Sequence, residues 1–394
     1  SSLYKNTSIG HQQVTKDYEY GNRDLFNELE KPLRKRGMKL QARMLEAGAN
    51  RQAHIPNYDK VLTVDLDGKP GRGPCWNHPD YREWLYATAE DLIRQYPHLD
   101  GIQYGAERTG PLSYLLDRGL IPTCFCKHCV ARNKAHGIEV EPAKQGYQEL
   151  YHLIKGLEAG HEPPIDGVLT MVYRVYQKYP EVLSWNYQWF QADNEIHQGI
   201  YDRIKSVNPS AQVGRHVDHQ RSSWDIYYRS AVSYSDMTAS ADFIKPILYH
   251  DILGLRLHYW VLERMSQRIN KELSMEQALE LFYARFGHDP KKMPNLEQLD
   301  ELGLGPEYVF NETKRCVRGV AGKAKVYAGI GVDVPWHLPD GGMKANPSPP
   351  ERTYQAVQKA FEAGADGILI SREYNEMRLE SLSAVGKALY DLNK

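Results

Sequence analysis

Short runs of β-branched and aromatic residues, each ending in a charged or polar group, alternate with amphipathic helical stretches along nearly the whole chain. That alternation narrows the choice of fold most, because strands separated by helices pair in parallel and need helices to cover the sheet. The strand-like runs are residues 38–46, 60–65, 100–105, 211–217, 242–249, 325–334 and 366–371. Helical patterns fill 24–36, 78–96, 165–206 with a break at Tyr179-Pro180, most of 251–321, 351–363 and 378–391. Seven such units in 394 residues predict an α/β protein, a (β/α)8 barrel whose first strand is missing, since residues 1–23 read as a loop. A doubly wound open sheet is the rival, but no Gly-rich phosphate turn follows any strand. Asp100-Gly101-Ile102, with Glu107-Arg108 beyond it, is echoed by Asp366-Gly367-Ile368 with Arg372-Glu373. Without a linker, repeat array or low-complexity tract, residues 1–394 read as a single domain.

Charge and composition then limit the partners. Forty-nine Lys+Arg against fifty Asp+Glu leave a net charge of -1 with no basic run, which argues against nucleic acid or a polybasic membrane contact. No segment approaches the roughly 20 apolar residues that cross a bilayer. Residues 1–5 (SSLYK) carry neither the charged nor the apolar part of a leader. The compartment stays open, with an extracellular or periplasmic location expected over the cytoplasm. Tyrosine is over-used, with 27 Tyr and 7 Trp against 8 Phe. Rings with a polar handle suit a surface that is flat, apolar and hydrogen-bonding together, as a sugar requires; Tyr-rich cores and interfaces share that composition.

Cys124, Cys126 and Cys129 put three thiols within six residues, and Cys75, at the entry of the 78–96 helix, is the natural fourth. Such spacing closes a tetrahedral Zn²⁺ site. His128 is an alternative ligand, and a disulfide or free thiols are the other readings. Cys316 falls on a helical pattern and reads as a small buried residue. An ion held by four thiolates has no open position, so its role would be to pin the loop around 107–135.

A strand ending in a glutamate, then C-x-C-x-x-C, with an earlier Cys in a C-x-N-x-P context, resembles the family 42 glycoside hydrolases, the microbial β-galactosidases. The resemblance is carried by residues 60–135. It implies a structural zinc on Cys75, Cys124, Cys126 and Cys129, a saccharide substrate, a homo-oligomer, and Glu107 as the acid/base glutamate closing strand four. There are departures. Ala106 stands where the family has an asparagine, and strand seven ends in Asp333 where the family has a glutamate nucleophile. They point to a relative of the family rather than a member.

Glycoside hydrolysis needs two carboxyls across the scissile bond. Glu107 is the expected general acid/base and Asp333 the expected nucleophile or base, with retention of configuration favoured; Glu373 is the runner-up for the second carboxylate. Arg108 beside Glu107 would spoil a general acid if the two touched. Around them, Glu46, Arg108, Arg215, His216, His219, Lys245, Tyr249, His250 and Arg372 are expected to bind the sugar. Trp76, Trp224 and Trp336 are expected as stacking platforms, and Trp185 and Trp189 as packing. Two rival functions share the barrel. One is a metal-dependent sugar isomerase, epimerase or lyase using His216, Asp218, His219 and His250. The other is a carbohydrate-binding barrel without catalysis, favoured if Glu107 is locked to Arg108 with no facing carboxylate.

Overall fold

Aspartates at the strand entrances set the registers of the main sheet. Asp100 Oδ2 accepts the backbone N–H of Leu40 at 2.6 Å, Asp242 Oδ2 that of Val213 at 2.7 Å, and Asp366 Oδ2 that of Val326 at 2.9 Å. Each aspartate stands directly before its own strand and holds the start of the neighbouring one, with Arg34, Lys205 or Lys325 as counter-ion. The Asp-Gly-Ile echo is thus a register device at the entry end of the sheet.

The computed structural model describes residues 2–10, 21–46, 52–338, 342–372 and 376–394. Strand β1 (Gln41–Leu45) is followed by β2 (Leu62–Val64) and β3 (Pro70–Pro74). Then come β4 (Gly101–Gly105), β5 (Gln212–Val217), β6 (Phe243–Leu248) and β7 (Lys325–Gly331). A short antiparallel pair, β8 (Trp336–His337) and β9 (Met343–Lys344), precedes β10 (Gly367–Ser371). The main sheet is parallel throughout, in the order β1-β4-β5-β6-β7-β10.

One expectation is corrected. Residues 60–65 are not a strand of the main sheet. The Asp65 carboxylate accepts the N–H groups of Asp67 and Lys69, the Gly68 N–H returns to the Asp65 carbonyl, and β2 turns back antiparallel onto β3. With that run removed, β1 lies directly against β4, and the main sheet has six strands. Among the described residues β1 and β10 are its edges, and the six strands curl like half of a barrel. The curl is visible in side chains. Lys245 on β6 reaches Ser371 on β10 across β7, where Gly329 leaves room: a Cβ there would come within 2.6 Å of Lys245 Cε.

Helices cover one face. Glu181–Val207 packs against Pro79–Gln95, and Gly305–Val320, Pro350–Glu362 and Leu379–Leu392 follow one another around β7 and β10. The expected break at Tyr179-Pro180 separates Val168–Lys178 from Glu181–Val207. Alternation sends Tyr104 and Arg215 to the helix side, where they meet His197 and Asn194. Their neighbours Gln103 and His216 take the inner face.

Candidate active site

Inner-face positions of four strands bring a charged cluster together. His216 Nε2 donates to Glu107 Oε1 at 3.3 Å, and Gln103 Nε2 donates to His216 Nδ1 at 3.1 Å. An amide nitrogen can only donate, so it holds the ring in the tautomer that offers Nε2–H to the carboxylate. Burial keeps His216 down to about 4, so it acts as a neutral donor near pH 7. That hydrogen bond in turn holds the Glu107 carboxyl below the ordinary glutamate range. Arg43 Nη2 stands 3.4 Å from the same oxygen. With its side chain 47% exposed, Glu107 is an ionised carboxylate that solvent reaches.

Beyond His216 lies Lys245, its ammonium donating to Ser371 Oγ. Tyr249 shares that serine, and Arg256 lies 5.7 Å from the Tyr249 ring. His219 pairs with Asp218 at 2.8 Å, and this holds Asp218 below the usual carboxylate range although burial alone would raise it. Two π-helical turns, Gln220–Trp224 and His258–Leu262, carry Trp224 and Trp260 to this end. Trp224 lies 5.3 Å and Trp260 5.9 Å from the His219 ring, with Trp336 5.6 Å beyond Trp260. These half-buried rings form a wall beside the charged cluster.

Other expected site residues are engaged elsewhere. Glu46 accepts from Trp76 Nε1 at 2.9 Å, Tyr81 at 3.0 Å and Arg108 Nη2 at 3.0 Å. Arg108 is therefore locked to Glu46, not to Glu107. Trp76 is fully buried, stacked on Trp189 at 4.5 Å with the Arg108 guanidinium 4.2 Å from its ring, so it supports an ion pair rather than a sugar. Arg215 faces the helices. His250 is buried 3.4 Å from Asp251, which pairs with Arg352. Asp333 sits in the left-handed region (φ 52°) and its carboxylate accepts from the N–H groups of Ser348 and Arg378, from Arg378 Nε and from Ser381. Arg372 pairs with Glu376. Glu373 lies outside the described residues.

A cavity of about 660 Å³ opens between the β2–β3 hairpin and residues 107–123, lined among others by Asp65, Arg72, Glu107, Arg108 and Tyr114. The cysteine cluster braces its far wall. Cys75 follows β3, Cys124 follows Thr123, which bridges to Asp65, and Cys126 and Cys129 start the helix Lys127–Ala135. The four sulfurs lie within 4.8 Å of one another, with Cys75 3.4 Å from Cys126 and 3.5 Å from Cys129. These are too long for disulfides and close to the roughly 3.8 Å edge of a tetrahedron with ~2.3 Å metal–sulfur bonds. Val64 N–H and Asn77 Nδ2 already donate to Cys124 and Cys129 sulfur, so the set can hold a thiophilic ion. His128 packs on His78 outside the group, and Cys316 is buried in Gly305–Val320. Among the described residues no second cluster of metal-ligating side chains exists, so His216, Asp218, His219 and His250 do not form the expected alternative metal site.

Arg43, Gln103, Arg256 and Trp260 were not expected. Arg43 and Gln103 had a readable signal: each lies between buried neighbours on a short strand, Ala42 and Met44 or Ile102 and Tyr104, so period two sends it to the opposite face. Arg256 and Trp260 come from a helical segment with no such pattern.

No family model and no curated protein matches the sequence. Solved structures do. The β-galactosidase from the psychrophilic Marinomonas ef1 is similar with a TM-score of 0.52 at 11% identity, over 97% of this chain and 54% of that chain. A polyextremophilic β-galactosidase from the Antarctic haloarchaeon Halorubrum lacusprofundi gives 0.54 at 12% identity, over 97% and 53%. The chain spans about half the length of these enzymes, and at this identity the likeness is one of fold.

Proposed function

We propose that this protein is a glycoside hydrolase, or a close relative of one, acting on a saccharide at the exit end of the parallel strands. The observation that carries the reading is Glu107: an ionised, accessible carboxylate at the end of β4, on the rim of a large cavity and near an aromatic wall. The β-galactosidase fold likeness and the four-cysteine cluster support it, the latter as a structural Zn²⁺ site of the family 42 kind. Elemental analysis should find one zinc per chain.

Glu107 works in its charged form, as nucleophile or base. This reverses the acid/base role that the resemblance implies, because His216 stabilises the carboxylate rather than the acid. Asp333 is structural, since its oxygens are occupied by Ser348, Arg378 and Ser381. The second carboxyl is then Glu373, two residues beyond β10. Trp224, Trp260 and Trp336 provide stacking faces, while His219 and Tyr249 bond hydroxyls. The isomerase reading loses its metal site, and the non-catalytic reading loses the Glu107–Arg108 lock that would have favoured it.

Glu107→Gln tests the roles. Loss of turnover on both an activated aryl glycoside and a natural saccharide is expected, on the order of 10²-fold or more. Loss on the natural saccharide alone would return Glu107 to the acid role. Unchanged rates on both would remove the hydrolase reading.

A further inference from the structure

A second cavity, of about 220 Å³, lies among the helices, and among the described residues it shares no lining with the cavity beside Glu107. It forms where the turn Gln220–Trp224 meets the helices Ile226–Ala231, Tyr234–Met237 and Gly305–Val320. Its described lining holds three arginines, Arg221, Arg229 and Arg315, two tyrosines, Tyr228 and Tyr234, and no acidic side chain. Arg221 is engaged by the fold: Nη1 donates to Asp193 at 2.7 Å, while Nε and Nη2 donate to the Arg108 carbonyl. Arg229 and Arg315 are only partly engaged. Their Nη2 atoms lie 3.0 and 2.8 Å from the same oxygen of Glu312, and both donate to the Ser222 carbonyl, so the two guanidinium groups stand side by side. One buried carboxylate therefore faces two cations. Nη1 of each arginine makes no hydrogen bond among the described residues, and Arg229 Nε is buried without a partner. The Tyr228 hydroxyl also lacks a partner, in a residue that is 2% exposed. A buried donor without an acceptor is unfavourable, and these donors all belong to side chains that line one cavity. Guanidinium groups beside a free hydroxyl suit the several acceptor oxygens of a single oxyanion.

We propose that this cavity binds a phosphate group through Arg229, Arg315 and Tyr228, its ligand being inorganic phosphate or a small phosphate monoester. The volume is below the roughly 300–1,000 Å³ of pockets that take drug-sized ligands, so the ligand is small. Val232 and Met237 add apolar wall, which suits the carbon skeleton of an ester. The site is separate from Glu107 and does not depend on the glycoside-hydrolase reading.

The test titrates the wild-type protein with inorganic phosphate, glycerol 3-phosphate and glycerol, by calorimetry and by thermal melting, with sodium chloride holding the ionic strength constant. One phosphate-bearing ligand per chain is expected, with a thermal midpoint that rises with its concentration, and no response to glycerol. Tyr228→Phe removes a hydroxyl that bonds nothing in the free protein, so the midpoint without ligand should not fall. The same variant should weaken phosphate binding about tenfold, as for one hydrogen bond to a charged group. Arg315→Met should weaken it at least as much, and Tyr228→Phe decides the matter if that variant does not fold. Tighter binding of glycerol 3-phosphate than of inorganic phosphate would support the proposal with an ester as the ligand. Equal or weaker binding would support it with free phosphate. Binding of neither ligand, or binding that Tyr228→Phe leaves unchanged, overturns the proposal.

Discussion

Replacing Arg108 by Met tests the reading of the rim most directly, because it removes one partner of a buried ion pair. Arg108 Nε lies 2.5 Å from Glu46 Oε2, Nη2 3.0 Å from Oε1, and Nη1 donates to the Pro74 carbonyl at 2.7 Å. The Glu46 side chain is 8% exposed, so among the described residues the variant leaves it Trp76 and Tyr81 as donors and no cation. Methionine preserves the apolar stem over Trp76, which limits the packing loss. The cost should therefore be that of an uncompensated buried charge, about 3–5 kcal/mol. Adding Glu46→Gln removes the stranded charge, and the double variant should recover about 1–3 kcal/mol. Urea titration followed by tryptophan fluorescence and circular dichroism reads both numbers from midpoint and slope. A cost below ~1 kcal/mol, the level of an exposed pair, would refute the locked role of Glu46 and return it to the substrate site.

If the proposed zinc is bound, Cys75→Ser should lower zinc content below one ion per chain and lower the thermal midpoint, because an ion on the four sulfurs would join the end of β3 to the helix Lys127–Ala135; unchanged zinc by elemental analysis would contradict this. Gly329→Ala should displace Lys245, since the added methyl meets Lys245 Cε at 2.6 Å and the Pro246 carbonyl at 2.7 Å; the expected destabilisation is roughly 1–3 kcal/mol, measured by the same urea titration. Burial lowers Lys245 to about 7 in the folded protein against ~10.4 in the unfolded chain, so between those values the unfolded chain binds more protons. Stability should then rise with pH across that window, by at most ~1.4 kcal/mol per unit, and Lys245→Met should lack the rise. His216→Phe removes the donor that depresses Glu107, so the acidic limb of the activity profile should move up toward ~4.3; an unmoved limb would show that His216 does not set the Glu107 charge.

The sequence by itself determined the parallel α/β architecture, the position of Glu107 just past a strand, and the four-sulfur cluster. These follow from periodicity and close spacing: alternating apolar runs declare their elements, and three of the four thiols lie within six residues. The turn at Asp65–Lys69 was also written locally, but a β-branched run does not declare whether its partner is parallel or antiparallel. Only the tertiary structure decided that β2 pairs with β3, that β1 lies against β4, and that the described strands form half a ring. It likewise decided which charges meet. Arg108, adjacent to Glu107 in the chain, reaches Glu46 across 62 positions, while Glu107 takes His216 from 109 positions away. Asp333 likewise meets Arg378 and Ser348 from 45 and 15 positions away, partners that its own strand end does not announce. Ion pairs and hydrogen bonds act over a few ångströms, so a carboxylate's role depends on chain segments that only the completed fold brings beside it.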